Sequence, residues 1–154
     1  MKIDVIKNNI NFGKTLEAKC DLRGQNHRKV ECNIFQLSPE EDKDYFARVW
    51  RSKPWEDAKY LWDMDAELSA NINGERIYVI ESKAGRCLGY MAMAPTLNNP
   101  RQEELVFLET CPKYQKGKKN RPLKYIGETL LAFATGKLDT DKTHVCLIDS
   151  ANVA

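Results

Sequence analysis

The residues most able to do chemistry in this 154-residue chain sit between Glu104 and Leu131. An apolar run, Leu105-Val106-Phe107-Leu108, reads as a buried strand. It stops at Cys111-Pro112, because proline has no N–H for a ladder. Lys113, Lys116, Lys118, Lys119, Arg121 and Lys124 follow with no acid among them. An amphipathic helix then opens near Tyr125-Ile126-Gly127. A strand, a basic loop and a helix N-terminus in that order make an anion site: backbone N–H groups and the positive end of the helix dipole face whatever the loop holds. The alternative is a solvated surface loop, as charge runs commonly are. The strand and helix on either side favour the anion site.

Other candidates are weaker. Gly13-Lys14-Thr15 looks like the tail of a phosphate loop, but the earlier glycine the motif requires is Asn8 here. Cys20, His27 and Cys32 match no common zinc spacing and lack a fourth ligand, so no metal is expected. Asp57, Asp63, Asp65 and Glu67 lie beside Trp55, Tyr60 and Trp62. They would make an acidic, aromatic lip for a cationic amine, or simply the wet face of an amphipathic helix.

The elements that must position these residues follow from periodicity and punctuation. Lys2–Asn8 and Phe12–Cys20 are expected as strands, Asp21–Arg28 as a loop and Val30–Leu37 as a strand. Ser38-Pro39-Glu40-Glu41 has the form of a helix start, with Phe46, Val49 and Trp50 on one face. A second helix is expected from Pro54, carrying Ala58, Leu61, Trp62, Leu68 and Ile72, and ending at Asn73-Gly74. Glu75–Ser82 and Cys87–Thr96 form a hairpin around Lys83-Ala84-Gly85-Arg86. Glu103–Cys111 is the next strand, Tyr125–Leu138 the third helix and Thr143–Asp149 the last strand. The helical crossover makes the last two strands parallel, and a crevice opens where such strands part.

The bulk properties exclude several classes. With 42% hydrophobic and 30% charged residues the chain has an ordinary globular composition. The net charge of +2 gives no global attraction to nucleic acid or membrane. The N-terminus has no apolar core of a signal peptide, and no apolar run approaches a membrane helix. Scattered cysteines, odd in number, suit reduced thiols and a cytoplasmic location. Cys87 and Cys146 lie in apolar strand-like runs and read as packing residues.

The order of elements and three segments together resemble the GNAT superfamily of acyl-CoA-dependent N-acyltransferases. The resemblance covers about residues 29–152, with 1–28 as an N-terminal extension and 29–154 as the acyltransferase domain. Leu108–Gln115 (LETCPKYQ) looks like the family's exit from its fourth strand. Ile126-Gly127-Glu128-Thr129-Leu130-Leu131 looks like its helix opening, and Thr143–Asn152 like its fifth strand and the asparagine after it. The phosphate loop within Lys116–Lys124 is about seven residues longer than the family's, and long loops are often functional. Tyr125 stands where the first glycine of the family's Gly-x-Gly stands, and Pro122 where its Arg or Gln stands, with Arg121 adjacent.

The resemblance implies an α+β fold of three layers: a mixed, mostly antiparallel sheet flanked by helices, with a splayed parallel pair. It implies acetyl transfer from acetyl-CoA to a primary amine by direct attack. Backbone N–H groups from Lys124 through Tyr125, Ile126 and Gly127 to Glu128 would hold the coenzyme A pyrophosphate, with charge from Arg121 and Lys124. The strand edge at Leu108 and Thr110 would pair with the pantetheine arm, and Asn152 would touch the coenzyme. Glu104, ahead of a hydrophobic triplet as in some protein-acetylating members, is the first candidate base, and Glu109 the second. The acceptor is open: a small molecule, a protein or a charged tRNA. No membrane partner is expected, and a homodimer is compatible. The family's fold continues past the position of Ala154: either the chain is naturally short, or a partner or the N-terminal pair of strands fills that space, and the last of these is the hypothesis that the extension suggests. Two other readings stand beside this one. The first is a non-catalytic GNAT-fold protein that binds coenzyme A or a protein partner. The second is an unrelated nucleotide-binding α/β domain.

Overall fold

The computed structural model describes residues 3–5, 13–70, 74–96, 102–115, 117, 121–139 and 145–148. The elements run β1 (Ile3–Val5), β2 (Thr15–Arg23), β3 (Lys29–Gln36), α1 (Tyr45–Trp50), α2 (Leu61–Ala70), β4 (Arg76–Ser82), β5 (Cys87–Pro95), β6 (Gln102–Thr110), α3 (Ile126–Asp139) and β7 (Val145–Ile148). All seven strands form one sheet in chain order. β1 to β6 are antiparallel, and β7 pairs parallel with the first part of β6, Gln102–Leu105. The fold is α+β. The opening expected between β6 and β7 beyond Leu105 falls on residues outside those described.

Each sheet face buries its own cluster. Ala18, Cys20, Leu22, Ile34, Tyr78, Ile80, Met91, Leu105 and Leu108 meet Ile126, Leu130, Phe133 and Ala134 of α3 on one face. Val79, Tyr90 and Ala92 meet Phe46 of α1, Trp55, and Leu61, Met64 and Leu68 of α2 on the other. Alternating side chains of the central strands therefore feed two layers of helix, which makes these strands apolar on both faces. Gly89 lets α3 settle on the sheet: a Cβ there would stand 2.9 Å from Ile126 Cγ2 and 3.1 Å from the Glu109 carbonyl oxygen.

β6 departs from simple alternation. Leu105 pairs with Met93 and Phe107 with Ala92, so Val106 is an extra residue in a bulge. The bulge puts Leu105 and Leu108 on one face although they are three apart, and sends Phe107 and Glu109 to the other.

Four expectations are corrected. β2 continues through Asp21 and Leu22 to Arg23, where a loop was expected, because fully buried Leu22 keeps the strand's inward alternation going. Ser38–Glu41 is a turn and not a helix start: the Asp42 carboxylate accepts the Ser38 N–H at 2.7 Å, and α1 begins only at Tyr45. Pro54 opens a short 3-10 turn, Lys53–Trp55, and α2 begins at Leu61. The N-terminal strands lie at the sheet edge opposite β7, so they do not fill the space beyond it. The strands expected at Val30–Leu37, Glu75–Ser82, Cys87–Thr96 and Glu103–Cys111 and the helix at Tyr125–Leu138 agree to within about one residue, less than the usual uncertainty at element ends; the ends expected at Asn8, Phe12, Thr143 and Asp149 lie outside the described residues.

Candidate functional site

A cavity of about 400 Å³ lies where β6 ends and α3 begins. Leu108 and Thr110 contribute one wall from β6. Tyr114 and Gln115 come from the turn after it, Arg121 from the loop, and Tyr125, Ile126, Gly127, Glu128 and Leu131 from the start of α3. The turn exists because Pro112 cannot extend the ladder; the Tyr114 N–H donates to the Cys111 carbonyl at 2.8 Å, and Gln115 Nε2 to the Thr110 carbonyl at 2.9 Å.

The first helical hydrogen bond of α3 runs from the Thr129 N–H to the Tyr125 carbonyl, at 2.8 Å. The N–H groups of Ile126 and Gly127 precede it and have no carbonyl within the helix to donate to. They carry the positive end of a 14-residue helix at the cavity. Gly127 packs against β6: a Cβ there would stand 3.4 Å from Thr110 Oγ1 and 3.5 Å from Leu108 Cδ2. Tyr125 turns the chain into the helix with φ 73°, a left-handed conformation rare for a side-chain-bearing residue, and its ring is 46% exposed.

Lys124 is placed differently from its neighbours. Its N–H donates to the Arg23 carbonyl at 2.9 Å, in a bridge that ties the loop to the end of β2. That N–H is therefore committed, and Lys124 does not line the cavity; its exposed ammonium is what remains to attract an anion. Lys116, Lys118, Lys119 and Asn152 lie outside the described residues.

The two candidate bases have unlike settings. Glu104 is exposed on β6 and points away from the face of Leu105. Glu109 is fully buried; it accepts the Lys59 N–H at 2.5 Å, the Tyr60 N–H at 3.1 Å and the Tyr90 hydroxyl at 2.5 Å. Burial, and then the bond to Glu109, raise the Tyr90 pKa, so Tyr90 is a donor at all ordinary pH. Neither glutamate lines the cavity, and both lie on the sheet face opposite Leu108 and Thr110.

A second cavity of about 300 Å³ adjoins the first, with Tyr114 lining both. Glu81, buried beneath it, accepts from Lys14 Nζ at 2.7 Å and from the Tyr45 hydroxyl at 2.5 Å. Arg48, Arg86 and Lys113 border it, with Trp55 and Cys111 below. Burial pushes the Cys87 thiol up to about 12 and the Cys111 thiol up to about 11, so both are neutral packing groups. Asp57, Asp63, Asp65 and Glu67 line neither cavity, and Trp55 is core, its Nε1 donating to the Cys87 carbonyl at 3.0 Å. The acidic, aromatic lip does not form around these pockets.

Sequence reasoning named seven of the residues around the first cavity: Leu108, Thr110, Arg121, Tyr125, Ile126, Gly127 and Glu128. It passed over Tyr114 and Gln115 as site residues, although the Pro-Lys-Tyr-Gln turn that carries them was the available signal. Among the described residues no helix is long and apolar enough to cross a membrane, and no three His, Cys, Asp or Glu side chains gather as metal ligands.

No family model matches the chain, and no curated protein matches it in sequence. Among solved structures the chain is similar to a Desulfovibrio desulfuricans protein assigned to the GNAT family of acetyltransferases, with a TM-score of 0.48 and 16% identity over 71% of this chain and 67% of that one.

Proposed function

We propose that the chain is a GNAT-fold N-acetyltransferase that takes acetyl-CoA at the cavity between β6 and α3 and passes the acetyl group to a primary amine. What supports the reading is one coincidence. Residues assigned to the coenzyme by resemblance of sequence, separated by up to twenty positions, line a single cavity at a helix N-terminus. The N–H groups of Ile126 and Gly127 and the Arg121 guanidinium would hold the pyrophosphate. Among the described residues no strand pairs with the outer edge of β6 from Val106 onward. That leaves the backbone groups of Leu108 and the Thr110 N–H for an extended amide-bearing arm, the Thr110 carbonyl already accepting from Gln115 Nε2. Attack on a thioester needs an amine that has lost its proton. Glu104, exposed at the strand's other face, would serve as base through water.

A second reading, a coenzyme A-binding protein without catalysis, has its own support. Glu109 has its lone pairs committed to three donors, and Glu104 stands outside the cavity.

Calorimetry with acetyl-CoA, coenzyme A and ATP tests the site. Binding of both coenzyme A forms and not of ATP is expected; ATP alone binding would favour an unrelated nucleotide domain, and no coenzyme binding overturns the proposal. Thiol release over a panel of amines then separates the enzyme from the silent binder. Glu104→Gln should lower the rate and move its pH profile; an unmoved profile removes Glu104 as base.

A further inference from the structure

Cys20 and Cys32 face each other across β2 and β3, and neither lines the first or the second cavity. Their Cα atoms are direct partners in the antiparallel ladder. Such partners stand about 4.5–5.5 Å apart, inside the roughly 4.4–6.8 Å that a disulfide spans. The two Sγ atoms are 2.8 Å apart. Both side chains are buried, at 4% and 2% exposure, on the face covered by α3. The remaining polar contacts of these thiols run to each other's backbone carbonyls, at 3.7 and 3.4 Å. A cavity of about 310 Å³ lies over the opposite face of these strands, where Lys19, Asp21, Glu31 and Lys83 project, and the two thiols point away from it, under α3.

We propose that Cys20 and Cys32 are a site of oxidative modification, where a peroxide converts two thiols into an intrachain disulfide that staples β2 to β3. The hydrogen bond with Cys20, and then burial, raise the Cys32 thiol far above its ordinary value, so Cys20 is the sulfur that attacks a peroxide oxygen as thiolate. The O–O bond breaks, a first water leaves with the thiol's proton, and a sulfenic acid forms. The second sulfur attacks that sulfenyl sulfur, the S–S bond forms and a second water departs. Two thiols are oxidised by two electrons, and the peroxide is reduced to two waters. The strands are already in register, so the second step needs only side-chain rotation. The thiols of Cys87 and Cys111 are turned instead to the carbonyls of Gly89 and Pro54, at 3.5 and 3.4 Å.

The test uses the full native chain. It is treated with hydrogen peroxide, denatured in N-ethylmaleimide, weighed intact and mapped by proteolysis. Two of the five cysteines should escape alkylation. A linked pair of peptides containing Cys20 and Cys32 should appear, and dithiothreitol should reverse it. Peroxide treatment in urea should spread the pairing over other cysteines. The proposal is overturned if all thiols remain alkylatable under conditions that oxidise free glutathione in the same tube. It is equally overturned if the lost thiols map to Cys87, Cys111 or Cys146, or if the link joins two chains.

Discussion

Glu109 sits in the interior of the molecule with no exposed surface, and its partners explain why it can. A buried carboxylate is costly unless its lone pairs are filled, and here two backbone N–H groups and a tyrosine hydroxyl fill them. Lys59 and Tyr60 immediately precede α2, so the side chain of a strand residue acts as the cap that α2 lacks in its own sequence. Glu109→Gln keeps the shape and replaces one acceptor oxygen with an amino group facing a donor. Loss of charge-assisted bonds of this kind costs about 1.5–3 kcal/mol, read as a lower urea midpoint. Glu104→Gln should change the midpoint little, since exposed substitutions away from special features fall within about 0.5 kcal/mol. A midpoint unchanged by Glu109→Gln would show that α2 is held by packing alone. The sequence displayed the acid and the strand around it. It did not display its partners, because donors some fifty positions away reach it only after the sheet and α1 are assembled.

At the scale of elements, periodicity carried the strands and α3 well, because each buries a regular set of side chains against one layer. It failed where a side chain from elsewhere supplies the hydrogen bonds. The Ser38 turn is closed by Asp42, and the start of α2 is set by Glu109, so the local helix signals at Pro39 and Pro54 were overridden. The bulge at Val106 was equally hidden, since four apolar residues in a row have no visible parity. The junction of α2 and β4 yields a pH dependence. Burial first, and then a hydrogen bond with Glu67, push the Glu75 carboxyl up to about 7. A carboxyl raised in the folded state binds its proton more tightly there than in the unfolded chain. Its contribution to stability is full below about pH 4.5 and is lost as pH rises through about 7. The urea midpoint of the native chain should therefore fall across that window, and Glu75→Gln should flatten that part of the profile. An identical slope in the variant would place the titration elsewhere.

Over the whole molecule, the N-terminal hairpin is part of the central sheet and of the core beneath α3. The resemblance sets residues 1–28 apart as an N-terminal extension, because the family's minimal fold has no counterpart for them. In the fold, β2 places Ala18, Cys20 and Leu22 in the cluster with Ile126 and Leu130, and the Arg23 carbonyl anchors the loop that leads into α3. The candidate coenzyme cavity is thus bounded by a helix whose entry is tied to the first third of the chain. Leu22→Ala removes a fully buried side chain at the α3 face and should destabilise the protein by about 2–5 kcal/mol. Removing residues 1–28 goes further, because it strips β3 of one of its two partner strands, uncovers Ile34 and Cys32, and frees Lys124 from its acceptor. Such a chain should lose cooperative thermal unfolding in circular dichroism, and coenzyme binding with it. A truncated chain that still melted sharply and bound acetyl-CoA with unchanged affinity would separate the hairpin from both the core and the site. Leu22→Ala measured alongside it distinguishes general loss of stability from loss of the Arg23–Lys124 tie. The point variant keeps that tie and should retain coenzyme affinity at temperatures where it is folded.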